Sequence, residues 1–306
     1  MTELRPRISV LIPAYNHAAY IGECVASVWE QEEPGIEIVL IDDGSTDGTG
    51  EAALTLAERS PIPMQVVIQE NRGSNRTLNR ALRMARGEYV ALLASDDKFA
   101  PNRFAAQLHL FAAHPEVQVV YGNGRFWQDG KLGERVHPEA VRKLLSRSAE
   151  GVLHHLYTNV SPLYVQTCLC KREFLLRIGG FDEAVLADDW VLNLRIFRAL
   201  TAVGSFGYVD EDVFFYRRHD SNSSMNLVGQ ANRVIEVIDS YTPLPLRAEF
   251  KRRMYRHYAW IALCGRNLPL AVLYLLRGEL AGLRNPRRSS VRPAQPLSAA
   301  NAGEEA

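Results

Sequence analysis

Cysteine is scarce in this chain of 306 residues, and the four present are Cys24, Cys168, Cys170 and Cys264. Their scatter gives neither the paired CxxC spacing of a zinc site nor a disulfide framework, so a reducing compartment is expected. Net charge is absent too: 35 basic residues balance 35 acidic ones. Nothing therefore points to nucleic acid or another polyanion as a partner recognised through overall charge. Long apolar runs are also missing. The first run, residues 8–12, is too short for the apolar region of a signal peptide and far short of a membrane span, so we expect a cytoplasmic protein. Gly122-Asn123-Gly124 lacks the third glycine and the following helix of a dinucleotide fingerprint, and it reads as a turn.

What the chain does have is a rhythm. Apolar runs at residues 8–12 and 36–41 read as strands buried on both faces, and further runs at 64–68 and 89–93 read as the next two strands. Between them, Ile21, Cys24, Val25 and Val28 recur at helical spacing, as do Ala52, Ala53 and Leu56, and residues 74–85 form a third helical stretch. The first three strands start about 28 residues apart, the length of a strand, a crossover helix and two short loops. This predicts an α/β fold: a Rossmann-like, mixed but mainly parallel sheet with helices on both faces. Further helices are expected at 104–113, at 172–178 before Gly179-Gly180, and from Asp188 to about Leu200. Strands are expected at 117–121 and 209–216, with a glycine-rich connection over 122–136. The domain plan is one α/β unit over 1–225, a C-terminal helical appendage over 226–283, and a disordered tail of Pro, Ser, Ala and charge over 284–306.

Ligands of such sheets bind beyond the carboxyl ends of the strands, and there the polar residues gather. Tyr15-Asn16 follows the first strand, Asp42-Asp43-Gly44-Ser45 the second, Asn71 the third and Ser95-Asp96-Asp97 the fourth. Gly44 permits a tight turn and Ser45 or Thr46 offers a helix N-cap, although Asp and Gly are ordinary loop residues as well. Adjacent carboxylates repel unless a cation lies beside them. A hard divalent ion supplies that cation and keeps positions open for substrate phosphates. Asp188-Asp189 opens a helix, where the dipole keeps a carboxylate ionised and ready to accept a proton; the same residues would also serve as a plain cap.

In chain order the motifs are Pro13-Ala14-Tyr15-Asn16, Asp42-Asp43-Gly44-Ser45-Thr46-Asp47, Asn71-Arg72-Gly73 with Asn79, and Gly87-Glu88-Tyr89-Val90 leading to Ser95-Asp96-Asp97. Then come Gly179-Gly180-Phe181-Asp182-Glu183, Asp188-Asp189-Trp190 and Tyr216-Arg217-Arg218-His219. Together, over roughly residues 8–225, they resemble the family 2 inverting glycosyltransferases with the GT-A fold. The resemblance implies transfer of a sugar, with inversion, from a nucleotide-sugar donor, UDP-sugar foremost, to a hydroxyl of a glycan or lipid-linked acceptor. Bacterial surface polysaccharide or glycan biosynthesis is the setting it implies. By the same resemblance Pro13, Tyr15 and Asp43 hold the base, Asp42 and Asp96 lie near base and ribose, and Asn71, Gly73 and Asn79 line the donor pocket. Asp97 would be the ligand of Mn2+ or Mg2+, and His219 would touch the diphosphate or the metal. Asp189 would be the general base, with Asp188 beside it as the other candidate. The position before Ser95, often acidic in the family, is Ala94, which leaves Asp97 with less carboxylate support.

Two other readings use the same residues. A sugar nucleotidyltransferase needs a glycine-rich basic loop after the first strand, where Pro13-Ala14-Tyr15-Asn16-His17 stands instead. A catalytically silent sugar-nucleotide-binding scaffold has no need of Asp97 and Asp189. At the C-terminal end, Arg247, Lys251, Arg252, Arg253 and Arg256 precede apolar residues 258–263 and 268–276. This basic amphipathic segment either packs on the catalytic domain or lies on the inner face of an anionic membrane.

Overall fold

The computed structural model describes residues 6–185, 188–202, 204–219 and 227–281, with Asp188 described in its backbone alone. The expected tail over 284–306 and the expected boundary at 225–226 lie outside the described residues. The elements run β1 Ile8–Ala14, α1 Ile21–Trp29, β2 Ile36–Asp42, α2 Thr49–Glu58, β3 Met64–Ile68, α3 Ser74–Met84 and β4 Tyr89–Leu92. There follow β5 Lys98–Phe99, α4 Ala105–Ala113, β6 Val117–Gln128, β7 Lys131–Arg135, α5 Glu139–Leu145, α6 Ala149–Thr158 and β8 Leu169–Lys171. The chain then continues through α7 Arg172–Arg177, α8 Asp188–Leu200, β9 Ser205–Arg217, α9 Leu227–Tyr241, α10 Leu244–Cys264 and α11 Leu268–Ala281.

The expected sheet is present. Strands β3, β2, β1 and β4 lie side by side and parallel. β2 is buried throughout and β1 nearly so, which is why both are dominated by apolar residues, and the polar pair within them, Ser9 and Glu37, is hydrogen-bonded at 2.6 Å. Alternate side chains feed opposite faces. Val10, Ile12, Ile38 and Leu40 join Val25 of α1 and Leu108 of α4, whereas Leu11, Val39 and Ile41 join α3, α7 and α8. Beyond β4 the order continues β8, β6, β9, β5, with antiparallel pairs at β4–β8, β8–β6 and β9–β5. No described helix is long and apolar enough to cross a membrane.

Two local expectations are corrected. Gly122-Asn123-Gly124 is not a turn but the middle of β6, paired with β9 through register shifts. Its glycines admit the neighbouring strand: a Cβ at 122 would meet Val213 at 2.8 Å, and one at 124 the Phe214 ring at 2.5 Å. Helix α2 begins at Thr49 with Gly48, at φ 92, as its cap, so neither Ser45 nor Thr46 caps it. Instead the Asp47 carboxylate accepts the amides of Thr49 and Ala18, at 3.0 and 2.9 Å.

His137 locks the antiparallel half together. It is fully buried, its Nδ1 donates to the Gly122 carbonyl at 3.0 Å, and its Nε2 accepts the Tyr164 amide at 3.0 Å. One neutral tautomer satisfies both ring nitrogens, and a second ring proton would face an N–H. Burial accordingly lowers the His137 pKa from 6.5 to about 4. The unfolded chain therefore binds the proton first, so this contribution to stability is complete above about 6.5 and fades as pH falls toward about 4. The urea midpoint is expected to drop between pH 7 and pH 5, and His137→Gln is expected to flatten that slope. An unchanged slope in the variant would remove His137 as its source.

Candidate active site

The carboxyl ends of the parallel strands carry interlocked loops. Asn16, at φ 54, donates its amide to Ser45 Oγ at 2.8 Å and accepts the Thr46 amide on Oδ1 at 2.9 Å. The His17 amide reaches Thr49 Oγ1 at 2.8 Å. Asp42 is buried and accepts the hydroxyl and amide of Ser45. Asp43, buried as well, accepts the Gln69 side-chain amide at 2.7 Å and the backbone amides of Arg72 and Gly73 at 2.8 and 2.9 Å. It thereby fixes the loop after β3. Gly44, at φ 75, is required there, since a Cβ would lie 2.8 Å from the Asn71 amide nitrogen. Tyr15 and Asn71 are exposed, and Pro13 and Gly73 are half-buried.

After β4 the two neighbouring aspartates part company. Asp97 is 2% exposed and its Oδ1 accepts the Arg217 amide at 2.8 Å. Burial pushes its carboxyl well above the usual range, the charges of Asp96 and Asp189 push the same way, and Arg217 opposes them. Asp96 instead faces the rim. Its Oδ2 lies 3.1 Å from His219 Nε2 and 3.8 Å from His17 Nε2, and the three groups offer ligand atoms within 4.8 Å of one another. Ser95 Oγ, 2.7 Å from His17 Nδ1, turns the other ring nitrogen toward Asp96. Burial lowers the His17 pKa against the pull of Asp96, which keeps the imidazole neutral and its lone pair available. Tyr20 stacks on His219 with centroids 4.8 Å apart.

Arg217 brings the end of β9 to this point. Its Nε donates to the Asp96 carbonyl at 2.7 Å, and its guanidinium lies over Trp127 at 4.0 Å and beside Glu23 at 3.0 Å. One carboxylate and two imidazoles fit a divalent ion, and the nitrogen-rich set suits Mn2+ better than Mg2+. Of the two ligands expected from sequence, His219 stands in this group and Asp97 does not. The carboxylate of the group is Asp96, expected near the ribose; consecutive side chains of the turn diverge, and Asp97 points inward while Asp96 faces the rim. His17 carried one signal in the sequence, its place two residues after Tyr15 in a rim loop.

The acceptor-side motif is held by α3. After Gly179 and Gly180, at φ 80 and 54, the 181–185 loop meets two buried asparagines. Asn79 donates to the Phe181 carbonyl and Glu183 at 2.9 and 2.8 Å and accepts the Phe181 amide at 2.9 Å. Asn75 donates to the carbonyls of Asp182 and Val185 at 2.7 and 2.8 Å. Asn79, expected to line the donor pocket, is buried, with its amide engaged on the loop that leads to α8.

Asp189 lies half-buried in the first turn of α8. Asn193 clamps that turn, donating to the Asp189 carbonyl at 2.8 Å and to Leu163 at 2.7 Å, while accepting the Tyr121 hydroxyl at 2.7 Å. Trp190 Nε1 reaches the Leu156 carbonyl at 3.0 Å. The negative charge of Asp189 is felt at Asp97, Tyr164 and Tyr216; burial raises all three, and Asp189 adds to it. The start of α8, far away in the chain, therefore lies near enough to Asp97 for the charge of Asp189 to act on it. The side chain of Asp188 lies outside the described residues.

Known proteins share this fold. The mannosyltransferase PcManGT of Pyrobaculum calidifontis, solved in complex with GDP-Man and Mn2+, matches with a TM-score of 0.58 and 25% identity over 92% of this chain and 77% of that one. S. aureus TarS 1-349, solved with UDP-GlcNAc, matches in fold with a TM-score of 0.62 at 20% identity, over 90% and 81% of the two chains. The architecture is that of the GT-A transferases. In sequence, the glycosyltransferase GlyG of Streptococcus pneumoniae is 36% identical over 236 residues, 72% of this chain and 73% of that one. The uncharacterized glycosyltransferase EpsJ of Bacillus subtilis is 29% identical over 284 residues, 90% and 76% of the two. With the model of the glycosyl transferase family 2 matching residues 9–178, and with these motifs in this fold, the chain belongs to that family.

Proposed function

We propose that this glycosyltransferase moves a sugar from a nucleoside-diphosphate donor, UDP-sugar foremost, to a hydroxyl of a glycan or lipid-linked acceptor, with inversion. The observation that carries the reading is the Asp96, His17 and His219 group at the end of β4, set close to Asp189 at the start of α8. In one displacement the acceptor oxygen bonds to the anomeric carbon as the bond to the diphosphate breaks, and Asp189 takes the hydroxyl proton. Asp96, His17 and His219 would hold a divalent ion, which would supply charge neutralisation for the departing diphosphate. Pro13, Tyr15, Asp42 and Asp43 receive base and ribose, with Asn71 and Gly73 beside them. Asp97 acts from beneath, positioning Arg217 and the strand end that carries His219. The complexes of PcManGT with GDP-Man and Mn2+ and of TarS with UDP-GlcNAc support a nucleotide-sugar donor. A cytoplasmic setting agrees with four free cysteines, three of them buried.

The test is nucleotide release from a set of UDP- and GDP-sugars, with Mn2+, with Mg2+ and with chelator. Metal-dependent release from at least one donor is expected. No release from any donor with either metal would favour the silent scaffold.

A further inference from the structure

Helix α11 is apolar all round: of its 14 residues only Arg277 and Glu279 are charged. Such helices are ordinarily buried on every side. This one buries just Ala271, Tyr274 and Gly278, the strip packed on α10. Gly278 lets the two backbones close, since a Cβ there would already lie 3.3 Å from Tyr255 Cβ. On the side turned away from α10, Leu268, Val272, Leu276 and Leu280 are 62%, 47%, 59% and 56% exposed. The last turns of α10 add Trp260 at 63% and Leu263 at 47%. Continuous apolar surface of this kind marks an interaction site rather than ordinary scatter.

The charge around the stripe has one sign. Arg266 stands exposed in the turn between the helices and Arg277 on α11 itself. The lone anion of α11, Glu279, is paired with Arg256 at 3.3 Å. In sequence the helix is followed by Arg284, Arg287, Arg288 and Arg292, with no acidic residue before Glu304. Cations beside an exposed apolar helix fit an anionic lipid surface. A second copy of this chain would bring the same arginines against themselves, and like charges repel.

We propose that the α10–α11 hairpin lies in the interface of an anionic membrane. The leucines of α11 enter the headgroup and acyl boundary, Trp260 sits at headgroup level, and Arg266 and Arg277 meet lipid phosphates. This stands apart from which sugar is moved. It gives a lipid-linked acceptor a fixed surface on which to meet the enzyme.

Flotation of the full chain with vesicles tests it. Recovery with equimolar phosphatidylcholine and phosphatidylglycerol is expected, with release by high salt and little recovery on phosphatidylcholine alone. Val272→Glu with Leu276→Glu should stay in solution while melting at the same temperature and releasing nucleotide from a soluble donor at the same rate. Replacing Arg266 and Arg277 by Gln should weaken vesicle binding at least about tenfold, at roughly 1 kcal/mol for each cation near the surface. Failure to float with either vesicle overturns the proposal, as does equal binding to both. A dimer in solution that Val272→Glu with Leu276→Glu converts to monomer also overturns it, assigning the stripe to a second copy.

Discussion

Asp189→Asn is expected to lower turnover by about two to four powers of ten, the usual contribution of a positioned general base. The substitution keeps shape and removes the ability to take a proton. Little else should change. The clamp that Asn193 places on residue 189 runs to its backbone carbonyl, which the substitution leaves in place, and Asn starts a helix as well as Asp does. Asp97 would lose one of the charges that raise its carboxyl, which if anything eases its burial. Turnover from nucleotide release with acceptor, set beside UDP affinity by calorimetry, separates the step from binding. Affinity should hold within a few fold while kcat collapses. Near-normal kcat in the Asn variant would move the role to Asp188, and Asp188→Asn would then show the loss.

The second large effect separates neighbours. Asp96→Asn is expected to weaken Mn2+ binding and metal-dependent turnover at least about a hundredfold, since loss of a group that merely orients a ligand costs 10–100-fold. It removes the only carboxylate of the group formed with His17 and His219. Asp97→Asn is expected to keep Mn2+ affinity, because that carboxyl is buried against the Arg217 amide and its environment already disfavours the charge. Calorimetric titration of Mn2+ into the two variants decides. The reverse pattern, with Asp97→Asn losing the ion and Asp96→Asn keeping it, would restore the ligand set expected from sequence.

That contrast marks how far the residues alone could be read. Strands β1 to β4 were legible because each is dominated by apolar residues, although β3, at the sheet edge, is only half-buried, and the helices between them because each shows an apolar side at helical spacing. The antiparallel half was not. β8 has three residues and β5 two, and their pairing with β4 and β9 rests on partners far away in sequence. The glycines of β6 look like turn residues until Val213 and Phe214 are seen pressing on them. Helices α5 and α6 were passed over, and α9 was expected only as part of the helical appendage over 226–283, since Gly229 and several polar residues interrupt its apolar pattern.

Within the site, sequence motifs named the acidic pairs but not the direction of each side chain. Whether Asp96 or Asp97 faces the rim depends on Arg217, which arrives from β9. Asn75, in the sequence one more asparagine in a helix, proves to tether the loop that leads to Asp189. His137 carried no signal, since its two partners, Gly122 and Tyr164, come together through the fold alone.

Crystals grown with Mn2+ and UDP, measured at the manganese absorption edge, bear most directly on the shared cleft. The expected result is one anomalous peak in contact with Asp96, His17 and His219, with the diphosphate lying between that peak and Asp189. A peak on Asp97 with Asp96 turned away, or a nucleotide bound in a cleft that Asp189 does not enter, would contradict it.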